Sequence, residues 1–242
     1  MTRTVGFLTD ATLCIGCKAC EVACKQWNDL PSDGFRLSGL SYDNTVALGA
    51  TTWRHVTFAE QAHDEGVAWK MISDVCKHCE HAGCLDACPT GAIIRTEHGS
   101  VFVQPDICNG CGYCVPACPF GVVAKDEHDG RAAKCTLCYD RLQGGLEPAC
   151  AKACPTDSIQ FGPVDELRGR AAARVNTVAG TRVYDPPGVG GIHALFVLAD
   201  EPEVYNLPPA PVVPTRGVGR SWLAAAAGAL GLVVLAAITS RR

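Results

Sequence analysis

The sequence predicts an α+β fold: two interlocked modules of short antiparallel hairpins and small helices folded around groups of cysteines, followed by one C-terminal apolar helix. Three observations predict it. Sixteen of the 242 residues are cysteine, and they fall into four quartets rather than being scattered. Short β-branched runs flank Gly-containing turns beside those quartets. Ser221–Ser240 is a run of 20 uncharged residues, mostly Ala, Leu, Val and Gly. Only 7% of residues are aromatic, with 25 Gly and 15 Pro, which suits a core stapled by inorganic groups. Net charge is −4, from 21 basic and 25 acidic residues, and no Lys/Arg-rich run occurs. That excludes a nucleic-acid partner, whose phosphates require a concentrated basic face.

A strand is expected over Thr4–Thr9, ahead of the first quartet, Cys14, Cys17, Cys20 and Cys24. Short helices should follow the third cysteine of the first and third quartets. Residues 28–72 form an insertion whose strands, Trp53–Phe58 and Val67–Ile72, turn near Asp64-Glu65-Gly66. The second quartet, Cys76, Cys79, Cys84 and Cys88, precedes a hairpin over Gly91–Val103. The third is Cys108, Cys111, Cys114 and Cys118. The fourth, Cys135, Cys138, Cys150 and Cys154, leads into a strand at Ser158–Phe161, which pairs with Thr4–Thr9 to close an outer sheet. Asp165 to about Val175 reads as a surface helix. Pro186-Pro187-Gly188 and Pro208–Pro214 then mark an extended, proline-rich strap. Three regions result: a cysteine-bearing domain over 1–163, a helix and strap over 164–220, and the apolar segment 221–240.

The spacing of the quartets carries chemistry. In a C-x2-C-x2-C-x3-C-P run, three thiolates on a tight loop wrap one [4Fe–4S] cubane, and the fourth reaches the other cluster of a pair. Quartets one and three have this spacing, although Lys25 stands in the first where Pro89, Pro119 and Pro155 follow the others. Quartets two and four widen the middle gap to four and eleven residues, and all four retain the x3 spacing of the last cysteine. The crossing rule gives one ferredoxin-like pair as Cys76, Cys79, Cys84 with Cys118, and Cys108, Cys111, Cys114 with Cys88. By elimination, helped by the two outer strands, the other pair is Cys14, Cys17, Cys20 with Cys154, and Cys135, Cys138, Cys150 with Cys24. Four [4Fe–4S] clusters are expected, since a [3Fe–4S] centre betrays itself by a missing cysteine. Structural zinc favours two separated C-x2-C pairs, and a disulfide framework suits small secreted chains; neither fits these quartets.

Other candidate residues carry less. Lys18, Lys77, Lys134 and Lys152 lie within the cysteine loops and could raise a neighbouring potential, but each reads more simply as a solvated surface lysine. His78 and His81 sit inside quartet two as surface or supporting groups beside a complete cysteine set. No Ser–His–Asp arrangement or P-loop occurs, and Gly188-Val189-Gly190-Gly191 lacks the strand-turn-helix setting of a dinucleotide site. No catalytic residue is assigned. A cluster-bearing scaffold or sensor without a redox relay is the reading from a different functional class.

A helix over Ser221–Ser240 would reach about 30 Å, the thickness of a bilayer's hydrocarbon core. Arg216 and Arg220 flank it on one side and Arg241 and Arg242 on the other, so the positive-inside rule leaves orientation open. Trp222 stands where an interfacial aromatic would, and Ala224/Gly228 and Ala227/Gly231 would let another helix approach closely. A transmembrane anchor is expected over a buried Ala-rich helix. Met1–Val5 has no apolar run, so no cleavable secretory signal is expected.

The chain resembles the iron–sulfur β subunit of membrane-bound formate dehydrogenases, among the four-cluster subunits of the molybdopterin oxidoreductases. The resemblance rests on Cys14-Ile15-Gly16-Cys17-Lys18-Ala19-Cys20, Trp27-Asn28-Asp29, Cys108-Asn109-Gly110-Cys111-Gly112-Tyr113-Cys114, Lys134-Cys135-Thr136-Leu137-Cys138 and Glu147-Pro148-Ala149-Cys150. Tyr184–His193 and Glu201–Tyr205 are the discriminating stretches, because cousins serving [NiFe] hydrogenases or sulfur-oxyanion and sulfoxide reductases share the quartets. The resemblance implies a catalytic partner with a molybdenum or tungsten bis-pterin and a membrane cytochrome b that passes electrons to quinone in anaerobic respiration. It also implies export of the folded pair on the partner's twin-arginine signal, with the cluster domain on the extracytoplasmic face of the cell membrane. Asp157 departs from the family, which has Gly there, and the chain stops two residues after the expected anchor.

Overall fold

Residues 5–8 and 194–198 are apolar runs, and burial on both faces makes their strands neighbours at the centre of the main sheet. The computed structural model describes residues 3–217 except 35, 36, 38, 40–44, 46 and 65, and beyond them 221–223, 225–230 and 232. The elements run β1 (Val5–Asp10), α1 (Ala19–Trp27), β2 (Arg54–His63), β3 (Gly66–Val75), α2 (Gly83–Asp86), β4 (Ile93–Arg95) and β5 (Val101–Val103). There follow β6 (Ala124–Lys125), β7 (Ala132–Ala133), α3 (Tyr139–Gln143), α4 (Ala149–Lys152), β8 (Ile159–Pro163), α5 (Val164–Thr177), β9 (Arg182–Tyr184) and β10 (Ala194–Leu198).

Four strands form the main sheet in the order β8-β1-β10-β9. The expected outer pair is present: β1 runs antiparallel to β8, with Phe7 opposite Phe161. On its other side β1 runs parallel to β10, with Phe7 opposite Ala194 and Leu8 opposite Leu195. The period of two sends Phe7 and Ala194 toward the cysteines, while Leu8, Leu195 and Val197 pack with Leu167 and Ala171 of α5. Val164, Leu167 and Ala171 recur at helical spacing and are the buried stripe of α5.

The stretch expected as an extended strap is therefore partly sheet. All five residues of β10 are buried, each contributing about 1.5–3 kcal/mol where the side chain is large. Its flanking prolines form 3-10 turns at Pro187–Val189, Pro202–Tyr205 and Pro214–Gly217. A second difference concerns helices. The third cysteines of quartets one, two and four lie in α1, α2 and α4, whereas Tyr113–Ala117, around Cys114, is a hydrogen-bonded turn. There the backbone closes successive turns, with Val115 N–H donating to the Gly112 carbonyl (3.0 Å) and Cys118 N–H to the Val115 carbonyl (3.2 Å).

The expected hairpins in the insertion and after quartet two are both formed. β2 pairs with β3 from Arg54–Val75 to His63–Gly66, and β4 pairs with β5. Residues 221–223 and 225–230 are helical. Among the described residues no helix is long and apolar enough to cross a membrane. Much of the expected anchor, 233–240, lies outside the described residues, as do Arg220, Ala224, Gly231, Arg241 and Arg242.

Two backbone positions test this geometry. A Cβ on Gly6 would lie 1.8 Å from the His193 carbonyl oxygen, where Phe7 N–H now donates at 2.7 Å. Gly6→Ala is expected to force β1 from β10 and destabilise the protein by more than about 2 kcal/mol. Asp157 has φ 53°, the left-handed region. Asp157→Gly should change stability by less than about 1 kcal/mol and Asp157→Val should cost about 1–2 kcal/mol. Anaerobic thermal melting of the three variants measures all of these.

Candidate metal centres

Each quartet begins where a strand or turn ends and is shaped by left-handed residues that point successive sulfurs inward. Gly16, at φ +67°, lies between Cys14 and Cys17; a Cβ there would meet Met71 Sδ at 2.5 Å and the Phe58 ring at 2.7 Å. Thus the insertion hairpin lies directly on the first loop. Cys20 and Cys24 follow one turn apart on α1. His78 (φ 45°), Leu137 (φ 61°) and Cys138 (φ 49°) make the corresponding bends in quartets two and four. The eleven-residue gap of quartet four is filled by α3, so Cys150 returns on α4 beside α1.

The fourth cysteine of each quartet lies among the first three of another. Cys14, Cys17, Cys20 and Cys154 line one small cavity, with Ile15, Val56 and Ile159. Cys76, Cys79, Cys84 and Cys118 line a second, with Phe120, Val122 and Val123. Around Cys114 the acting thiol charges are those of Cys108, Cys111 and Cys88. Around Cys135 they are those of Cys24, Cys76, Cys138 and Cys150. None of the sixteen is paired in a disulfide. Among the described residues, no three His, Cys, Asp or Glu side chains converge closely enough for a single metal ion.

These surroundings disfavour bare thiolates. Burial, reinforced by neighbouring thiols, pushes Cys20 and Cys138 up to about 11 and Cys24 and Cys84 up to about 12. Burial likewise drives Cys135 and Cys79 well above the ordinary thiol range. Cys88 goes the other way: its slight burial is outweighed by hydrogen bonds from Thr90 and from backbone N–H groups. Such thiols deprotonate when a cation is bound among them, and an iron–sulfur cluster supplies that charge with sulfur-compatible iron. Donors are already aimed at several sulfurs: Leu137 N at Cys135 Sγ (3.3 Å), Ala132 N at Cys108 Sγ (3.4 Å) and Ile159 N at Cys154 Sγ (3.5 Å). The residues present fit the clusters.

Buried cations complete the fit and correct the reading of the loop lysines. Lys77 is 1% and Lys134 2% exposed, so neither is a solvated surface group. Lys77 Nζ donates to Asp74 Oδ1 and lies over the rings of Phe120 and Phe196. Lys134 Nζ donates to the carbonyls of Val101 and Cys135. Burial lowers the Lys134 pKa, but Cys76, Cys84, Cys135 and Cys118 outweigh it and leave the pKa raised. Lys152 is exposed, and Lys18 pairs with Glu21 at 3.3 Å. His78 is buried, accepting at Nδ1 from Val101 N–H (3.1 Å), and His81 packs against Gly190.

Two contributions escaped sequence reasoning. Val189 and Gly191 carbonyls accept from His81 N–H (2.8 Å) and Glu80 N–H (3.0 Å), while His193 N–H donates to the Lys77 carbonyl at 2.9 Å. The stretch after Tyr184 thereby clamps the loop of quartet two. Arg54 and Ser73 arrive from the insertion hairpin and reach the cysteines of quartets one and four. Arg54 lies 30 residues from the nearest cysteine before it that it approaches, Cys24, so no local spacing announces it.

The comparisons with known proteins agree with this chemistry. Residues 13–92 and 67–164 each match a 4Fe–4S dicluster domain. The formate dehydrogenase iron-sulfur subunit of Haemophilus influenzae is 44% identical over 207 residues, covering 82% of this chain and 66% of the relative. The nitrate-inducible formate dehydrogenase iron-sulfur subunit of Escherichia coli K12 is 44% identical over 220 residues, covering 87% and 74%. The chain thus spans about two thirds to three quarters of the length of these relatives. The B subunit of anaerobic dimethyl sulfoxide reductase from the same strain is 38% identical over 174 residues, covering 69% and 78%.

Cysteines stand in two of the three hydrophobic cores, beside Phe7, Val56, Ile93 and Val101. Anaerobic removal of iron by a chelator is therefore expected to unfold the domain along with the centres. Loss of far-ultraviolet circular dichroism in step with iron release measures this; retained structure in the iron-free protein would contradict it.

Proposed function

Because this chain belongs to the family of formate dehydrogenase iron–sulfur subunits, and so is an electron-transfer rather than a catalytic subunit, we propose that its sixteen cysteines hold four [4Fe–4S] clusters in crossed sets. Those sets are Cys14, Cys17, Cys20, Cys154; Cys135, Cys138, Cys150, Cys24; Cys76, Cys79, Cys84, Cys118; and Cys108, Cys111, Cys114, Cys88. The bound clusters supply one-electron redox centres. The chain's residues supply the ligands, exclude water from the middle two sites and hold the spacing between all four.

The order of the sites is the observation that carries this reading. Cys20 lies near Cys150, Cys135 near Cys76, and Cys84 near Cys114, so each set adjoins the next. Of the sixteen cysteines only Cys17 and Cys111 are exposed, and they belong to the two terminal sites. A relay needs that pattern: a partner's centre must come close at each end, and solvent must be kept from the middle.

In this reading the donor at one end is a molybdopterin subunit, with molybdenum or tungsten, that oxidises formate. The acceptor at the other end is a cytochrome b-type membrane subunit that reduces quinone. Ser221–Ser240 anchors the chain in membrane lipid, with the cluster domain on the extracytoplasmic face. The uncharged run of Ser221–Ser240 supports the anchor. The longer match to formate dehydrogenase subunits, 207–220 residues against 174, supports formate over a sulfoxide as the partner's substrate.

Two experiments test the proposal. In the complex purified anaerobically through this subunit, formate alone should reduce the clusters, as read by electron paramagnetic resonance. Reduction by hydrogen but not formate, or oxidation by a sulfoxide, would assign the relay to a different enzyme. The crossing is tested separately. Cys88→Ser and Cys111→Ser should perturb the same cluster signal, and Cys79→Ser a different one; a shared effect of Cys88→Ser and Cys79→Ser would refute the crossed sets.

A further inference from the structure

Arg54 opens β2 and is 1% exposed. Its guanidinium carbon lies 4.6 Å from the centroid of the Phe7 ring. Nη1 donates to the Ser73 carbonyl (3.3 Å) and to Ser73 Oγ (3.2 Å), and Ser73 Oγ in turn is 3.2 Å from Cys20 Sγ. Nε and Nη2 are fully buried and have no hydrogen-bond partner among the described residues. An orphaned buried donor is costly, the more so on a charged group. Two of them on one guanidinium mark acceptors that belong to the loaded protein. Lys77 and Lys134 differ, since each ammonium has protein oxygens to donate to.

The charges around Arg54 identify those acceptors. Burial works against the cation, but Cys150, Cys20, Cys135 and Cys24 outweigh it. One of these belongs to the site of Cys14, Cys17, Cys20 and Cys154, and three to the site of Cys135, Cys138, Cys150 and Cys24. Arg54 therefore stands at the junction between two neighbouring sites, held there by Ser73 and Phe7.

We propose that Arg54 is a positioning residue shared by these two centres: its Nε and Nη2 protons donate to cluster and cysteine sulfurs, and its fixed charge keeps both one-electron potentials raised. The inference rests on the ligand sets proposed above. When a centre accepts one electron from its donor, negative charge increases with no proton taken up. A buried cation stabilises the reduced form more than the oxidised form. Low local polarity keeps that interaction strong. Guanidinium suits the role because it does not deprotonate in a protein and offers a planar fork of donors.

Redox titrations of the intact complex, followed by electron paramagnetic resonance, test this with two variants. Arg54→Met should weaken reduction of two of the four clusters at least tenfold, a fall of about 59 mV for a one-electron couple. The other two should not move, and Arg54→Lys, which keeps the charge, should shift the pair less. Unchanged midpoints in Arg54→Met with full iron content would overturn the inference. Should Arg54→Met lose iron, wild-type complex made with 15N-labelled arginine decides. A 15N hyperfine coupling on the reduced clusters, absent from Arg54→Lys, supports the inference, and no coupling in the wild type overturns it. Wild-type protein without four clusters' worth of iron would instead overturn the ligand sets on which this rests.

Discussion

Sixteen cysteines gathered within a 242-residue chain, half of them buried and only Cys17 and Cys111 exposed, create an electrostatic problem that the rest of the structure answers. Several are pushed well above the ordinary thiol range by burial and by each other. Thiolates at such positions need compensating positive charge close by. Part of it comes from iron. The rest is built into the chain as Arg54, Lys77 and Lys134, three cations taken out of water at appreciable cost and placed among the cysteines. A desolvated cation is tolerated there because anionic groups face it: cysteine sulfur around Arg54 and Lys134, and the Asp74 carboxylate beside Lys77.

The same need for close approach explains why parts of the chain far apart in sequence meet at the centres. The insertion hairpin presses Phe58 and Met71 onto Gly16, delivers Arg54 and Ser73, and runs straight from Val75 into Cys76. The stretch from Pro187 to Ala194 grips the loop of quartet two through backbone hydrogen bonds and then becomes β10. The sheet's packing against α5 and the rigidity of the metal loops are therefore parts of one structure: β1 and β10 contribute Leu8 and Leu195 to the core with α5, and Phe7 and Ala194 to the core with the cysteines.

Much of this was legible in the residues. The quartets with their x3 spacing, the three hairpin or strand-pair expectations and the α5 stripe all depend on local spacing, and local spacing is what a sequence displays directly. β9 and β10 were hidden because Pro186, Pro187 and Pro208 dominate the composition around them, and a five-residue apolar run has no periodicity of its own. The helix expected after Cys114 is instead a pair of turns closed by the Gly112 and Val115 carbonyls.

By itself the sequence determined the ligand chemistry, because cysteine identity and loop spacing dictate which inorganic group can be wrapped. It also determined the crossing of the modules as an expectation, because in runs of this spacing the last cysteine serves the other cluster of a pair. Only the tertiary structure decided which cysteines adjoin, the exposure of Cys17 and Cys111, and the burial of Arg54, Lys77 and Lys134. A lysine or arginine reads as a surface residue until the groups around it are known. For Arg54 and Lys134 burial depends on cysteines that come from separate segments of the chain, and that is a property of packing, not of spacing.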